Sequence, residues 1–365
     1  MNKKLLAVAL ATAFAAPAMA EGVQIYGAFD VGVLVRGGNE GRVVDTRDTR
    51  TTISSGMNGH NFIGFKMSED LGNGLSIAGD AQFGFTLDAS AAGDAGGFRT
   101  ITSTLALIGD HGVLVAGKTG GARAAWIKKY DPFGGFGVAS AASTTGIGIG
   151  EAYANNVIAW VTPEILPGLK GLFAYTSSLD QQDSYPAKSK TGRLYAIAAM
   201  YDSGPLSFVL NYENLEFSKA VAGAGTKNAG YPKIYTAGAS YDFGVLKVSA
   251  LYDLITQYGR GWQAGVSAPA GEKLTLKAAY SEGKREGYLT PAAIDSDGKC
   301  RKVGVGLTYD LSKRTRFYAD AATLIDGDAA FCALSNNGDI IGSSGTSDTV
   351  GYGARGFDAG IRHSF

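Results

Sequence analysis

The chain of 365 residues carries 33 basic and 33 acidic side chains, so it lacks the basic footprint of a nucleic-acid binder. It is rich in glycine (53 residues), tyrosine (18) and phenylalanine (17) and poor in proline (9). No linker, charge run or low-complexity break divides it, and one large all-β domain is the simplest architecture.

Residues 1–20 read as a secretory signal peptide. Lys3 and Lys4 supply the positive start, Leu5 to Ala16 the apolar core, and Ala18-Met19-Ala20 the small-residue cleavage site. The apolar run is shorter than the roughly 18 residues that a spanning helix needs, and no longer one follows. The mature chain, residues 21–365, is then expected outside the cytoplasm.

From Gly22 onward apolar and polar residues alternate. Val23, Ile25, Phe29, Val31, Val33 and Val35 share one face of the first segment, and Gln24, Tyr26, Asp30 and Arg36 the other. Period two is the mark of a strand with two different faces. Thr51 to Met67 puts Ile63, Phe65 and Met67 out and Phe62 and Lys66 in, and the turn Ser68 to Gly74 leads into Leu75–Phe85. Further pairs meet at turns such as Gly109-Asp110-His111-Gly112, Pro163 to Gly168, Asp202-Ser203-Gly204 and Asp242-Phe243-Gly244, all residues suited to tight geometry. The last segment alternates Phe357, Ala359, Ile361, His363 and Phe365 against Asp358, Gly360, Arg362 and Ser364.

Sixteen strands result, and short turns are expected to alternate strictly with long polar loops. Tyr201-Asp202, Tyr241-Asp242 and Tyr309-Asp310 repeat at strand ends, with Trp160 in a similar place before Pro163. A ring at the lipid–water boundary is buried while its polar tip stays wet, and the Asp is expected to open the turn. Even strand number, segregated connections and aromatic ends together predict an antiparallel transmembrane β-barrel. Closure also removes the unpaired edges that lipid could not satisfy.

Seven stretches, in order, resemble the general porins of Gram-negative bacteria, especially the beta-proteobacterial and neisserial branch. They are Gln24 to Asp30, Gly64-Phe65-Lys66 with Ser68 to Gly72, Gly112 to Lys118, Asp131 to Gly135, Tyr241 to Gly244, Leu311 to Thr315 and Gly360 to Phe365. The resemblance implies an outer-membrane barrel, usually a homotrimer embedded in lipid, that passes small hydrophilic solutes and ions passively, with no cofactor or metal. A substrate-selective channel with a solute-binding eyelet is the alternative.

The segment Gly120 to Gly150 stands apart. It holds a helix-compatible piece, Ala122 to Tyr130, ended by Asp131-Pro132. By the resemblance it is the third loop, folded inward to narrow a barrel too wide for its own side chains to fill. Charges across such a narrowing set ion preference. The candidate constriction residues are Arg36, Lys118, Arg123, Lys128, Asp131 and Glu151, with Lys118 standing where the family commonly has a wall arginine. Phe62 and Tyr153 stand about where basic residues often occur, so weaker wall positivity is expected. Of the three histidines, only His60 could reach a lumen or loop serine, and no carboxylate is obviously poised to orient it, so an enzyme is not expected. Gly146 to Gly150 lacks the helix and closing Lys-Ser/Thr of a phosphate loop.

Cys300 and Cys332 are the only cysteines. They have no CxxC-type neighbours, which leaves one bridge or two free thiols. Each sits at the outer end of neighbouring strands, and a bridge would close about thirty residues, worth roughly 3 kcal/mol by chain entropy.

Overall fold

A computed structural model describes residues 22–37, 49–87, 98–141, 153–177, 193–216, 233–256, 259–285, 298–327 and 354–365. The expected signal peptide, most long loops, Glu151 and Cys332 lie outside them. Seventeen strands form one closed antiparallel sheet. They are β1 (Gly22–Gly37), β2 (Arg50–Ser55), β3 (Asn61–Gly72), β4 (Leu75–Phe85), β5 (Arg99–Gly109), β6 (Gly112–Gly120), β7 (Tyr153–Val161), β8 (Leu169–Thr176) and β9 (Arg193–Ser203). There follow β10 (Leu206–Glu216), β11 (Lys233–Asp242), β12 (Lys247–Ile255), β13 (Gly259–Pro269), β14 (Leu274–Arg285), β15 (Gly298–Asp310), β16 (Thr315–Gly327) and β17 (Arg355–Ser364). The single helix among the described residues, α1 (Ala122–Tyr130), covers the piece that the sequence marked out.

The barrel has sixteen staves, because β2 and β3 are two halves of one. Both pair with β1, β2 along Val31 to Arg36 and β3 along Gly22 to Ala28. The sequence gives no sign of the break between them, residues 56–60. Asp30 holds it: its carbonyl accepts from Gly56 N at 3.1 Å and its carboxylate from Asn58 N at 2.9 Å. Met57 is thereby turned into a fully buried cluster with Leu34, Phe133, Val138 and Tyr318.

Burial follows the alternation. Val23, Ile25 and Phe29 are exposed on the outer face of β1, while Asp30 and Arg36 are buried on the inner one. A barrel in lipid inverts the usual arrangement, and the exposed apolar band is its membrane surface. Tyr241, Tyr309 and Trp160 are exposed at strand ends as expected, and Trp160 Nε1 donates to the His111 carbonyl at 2.9 Å. Of the three aspartates paired with tyrosine, Asp242 caps its turn, accepting from Gly244 N at 2.8 Å. Asp202 and Asp310 instead bind Lys129 and Arg316. The short–long alternation is not strict either, since only residues 256–258 join β12 to β13.

Closure runs from β17 to β1 in register from Ala28↔Ser364 to Gly37↔Arg355. Phe365 N donates to Gly27 O at 3.0 Å, Gly27 N to Phe365 O at 3.2 Å, and the ring stacks on Phe29 at 5.5 Å. Gly27 leaves room for that ring, which a Cβ there would strike. Removing Phe365 is expected to impair assembly far more than removing a loop residue. Normal outer-membrane levels of heat-modifiable protein after the deletion would contradict that.

Candidate functional site

The segment from Gly121 to Ala141 folds into the barrel and crosses its inner wall. Its first anchor is α1. Arg123 Nε donates to Asp253 Oδ2 on β12 at 2.6 Å, and its Nη2 also bridges that carboxylate. Thr236 Oγ1 on β11 donates to the other oxygen at 2.8 Å. Glu213 on β10 accepts from the backbone N–H of Arg123, where an anion complements the positive end of the helix. At the far end, Lys129 Nζ binds both oxygens of Asp202 at 2.7 and 2.9 Å, and Tyr130 OH meets Ser207 Oγ at 2.9 Å. Burial pushes the Tyr130 phenol up to about 12, so it stays protonated at neutral pH.

The second anchor is Asp131. Its carboxylate accepts from Phe133 N (2.9 Å), Gly135 N (3.2 Å), Ala141 N (3.1 Å) and Ser140 Oγ (2.7 Å). One side chain thus closes the loop back on itself. Burial raises its pKa, while the Ser140 hydroxyl and the Phe133 amide work in the other direction. The third anchor is at the tip. Val138 N donates to Asp358 Oδ2 on β17 at 2.7 Å, and Lys302 Nζ on β15 donates to the Ser140 carbonyl and, at 3.3 Å, to that of Val138.

The wall makes room for this loop with missing side chains. A Cβ on Gly238, Gly265 or Gly304 would run into Tyr130, Pro132 or Ala139 respectively, and one on Gly306 into the Asp320 carboxylate and the Phe133 ring. These inward glycines on β11, β13 and β15 are a track for the loop. Glycine at inward positions, where neighbouring strands carry polar residues, is the signal of this track in the sequence.

The candidate constriction residues separate. Arg123 and Asp131 are buried and committed to loop anchoring. Arg36 is buried near the outer end of β1. Lys128 is exposed to the lumen yet enclosed by the barrel, its ammonium 5.4 Å from the Phe136 ring. That enclosure lowers its pKa from the ordinary lysine value by desolvation. Lys118 is half-buried and pairs with Ser103, in the alternation that exposes Leu114 and Ala116. Thr119, one residue on, lines the cavity behind the start of α1. Cys300 is buried and disulfide-bonded; its expected partner, Cys332, is outside the described residues. The His60 ring packs edge-on against Phe136 at 4.8 Å. Phe62 packs against Tyr26, and the Tyr153 side chain is not among those described.

One asymmetry in the lumen was not legible beforehand. The carboxylates of Asp30, Asp80, Asp131, Glu213, Asp253, Asp320 and Asp358 belong to residues that are all 5 % exposed or less. They are turned into the wall or under the loop. Lys66, Lys128, Lys277 and Arg362 remain partly or fully open to the lumen. Lys66 and Lys277 lie over the Tyr26 and Phe133 rings at 4.4 and 5.6 Å, which holds their stems without neutralising them.

A family model described as Gram-negative porin matches residues 7–330. Outer membrane porin protein 32 of Delftia acidovorans is 29 % identical over 384 residues, covering 100 % of both chains. The anion-selective porin from Comamonas acidovorans has a TM-score of 0.70 at 24 % identity, covering 94 % of this chain and 99 % of its own. OmpT of Vibrio cholerae in a trimer form has a TM-score of 0.60 at 16 % identity, covering 94 % and 99 %.

Proposed function

This chain belongs to the Gram-negative porin family and forms a water-filled outer-membrane channel for small hydrophilic solutes and ions, and we propose that its constriction prefers anions. The observation that carries this reading is an uneven sorting of charge: seven inner acids are buried against three inner cations, Arg36, Arg123 and Lys302, while Lys66, Lys128, Lys277 and Arg362 stay partly or fully open. A carboxylate paired with a buried cation under the loop, as Asp253 is with Arg123, contributes little net field to the passage. An ammonium over a ring in a narrow, low-dielectric passage contributes much more. The Comamonas porin is described as anion-selective, which agrees with this sign.

Lys66, Lys128 and Lys277 are the principal determinants in this reading. Arg36 and Glu151 are secondary, Arg123 and Asp131 act by holding the loop, and Lys118, which shares the outward face of β6 with Leu114 and Ala116, is not counted among the determinants. The assembly proposed is a homotrimer, the form described for the Vibrio OmpT structure.

Lys128→Glu changes the charge at the loop by two units and is expected to move the reversal potential in a KCl gradient toward potassium. Lys118→Glu, on the outward face of β6, should leave it nearly unchanged. Equal reversal potentials for the Lys128 variant and the parent would contradict the assignment. Because enclosure holds the Lys128 ammonium below the ordinary lysine value, its charge is lost at a lower pH than that of a free lysine. Anion preference should therefore fade as pH rises.

A further inference from the structure

On the short-turn side of the inner loop, four charged residues lie in one row across the wall. Asp310 on β15 pairs with Arg316 on β16, Arg316 with Arg362 on β17, and Arg362 with Asp30 on β1. Two arginines stand directly opposite each other in the middle. Like charges in that position oppose sheet formation, and residues so paired have Cα atoms about 5 Å apart.

The flanking acids do not fully neutralise them. Asp30 lies 3.6 Å from Arg362 Nη1, and its two carboxylate oxygens already accept from Tyr318 OH at 2.7 Å and Asn58 N at 2.9 Å. Asp310 accepts from Arg316 Nε at 2.9 Å, and the Arg316 side chain remains 44 % exposed.

The same two strands carry a second like-charged pair, Asp320 opposite Asp358. That pair is sealed beneath the loop, whereas the Arg316 side chain is 44 % exposed and the Arg362 side chain 19 %. Only the cationic pair is offered to solutes. Lys277 on β14 adds a third positive charge that acts on Arg316.

We propose that Arg316 and Arg362 form a binding subsite for a dianionic solute, a phosphate or a dicarboxylate, which bridges the two guanidinium groups. Each guanidinium presents N–H donors in a planar fork that fits such oxygens, Arg362 with those beyond the Nη1 donor that reaches the His60 carbonyl at 3.3 Å. An anion leaving the lysine-lined constriction would be held there before release. The subsite rests on the anion preference proposed above.

The test is chloride current through single channels in planar bilayers, with inorganic phosphate in one arm and succinate in the other. In the parent, one or both should reduce the current saturably. Block by phosphate alone would identify a tetrahedral oxyanion site, and block by both a general dianion site. Replacing both residues, Arg316→Gln with Arg362→Gln, should raise the half-blocking concentration about tenfold or more, as expected for the loss of about 1.4 kcal/mol. The single Arg316→Gln variant leaves the Asp30–Arg362 contact in place and should give a smaller rise, which keeps the test decisive if the double variant misfolds. Lys247→Gln should leave the block unchanged.

Absence of saturable block in the parent, or equal block in the Arg316 variant, would overturn the subsite. If that happened while the KCl reversal potential remained on the chloride side, the subsite alone would fail. Reversal on the potassium side would remove both the subsite and the preference on which it rests.

Discussion

Arg123→Ala is expected to detach the start of the inner loop, at a cost of about 3–5 kcal/mol, the usual penalty for removing one partner of a buried ion pair. Asp253 is fully buried and Glu213 nearly so, and Arg123 is the cation that both face. Without it, two carboxylates share a dry wall with Thr236 and Asn211 as their side-chain donors among the described residues. The barrel staves do not depend on this contact, so the protein should still assemble. It should lose its heat-modifiable form at a lower temperature and show noisy, flickering conductance. Arg123→Lys keeps the charge but loses the two-nitrogen contact with Asp253, and should fall between parent and Ala. A quiet conductance and an unchanged transition temperature for Arg123→Ala would show that the helix is held by packing alone.

Asp131→Ala should have the larger effect on what passes. Its carboxylate gathers three backbone amides and one hydroxyl within a single bend. Hydrogen bonds to a charged group contribute roughly 1.5–3 kcal/mol each, and since the four share one acceptor their sum is not additive. A loss of about 3–5 kcal/mol is expected, enough to unfold the bend. Lys302 would then keep its carbonyl partners only if the tip stayed in place. Open-channel conductance should rise, and sugars excluded by the parent should enter proteoliposomes in a swelling assay. Unchanged conductance and an unchanged size cutoff would mean that Asp358 and the glycine track hold the loop without Asp131.

Local physics explains which features could be read in advance. Alternation along Val23 to Arg36 and Phe357 to Phe365 fixes the two faces of a strand whatever it pairs with, so the staves and closing strand were legible. Asp131-Pro132 ends α1 because the residue before proline is pushed from helical geometry, and that too is local. The break at 56–60 is not, since it depends on Asp30, 26 or more positions away, reaching across to Gly56 and Asn58. Arg123 and Asp253 are 130 residues apart, and parity alone cannot say that a lumen arginine will be spent on an anchor. The same limit explains the charge asymmetry. Parity along their strands puts Asp80, Asp320, Lys66 and Lys277 on polar faces together, but which of them the loop covers depends on where the loop lands.

The most direct test of the account is the reversal potential of the parent channel in a KCl gradient, measured at low and at high salt. Exposed lysines facing buried carboxylates predict reversal toward the chloride equilibrium potential. The displacement should be larger near 0.01 M, where the Debye length is about 30 Å, than near 1 M, where it is about 3 Å. Reversal toward the potassium potential, or no displacement at either salt, would contradict it.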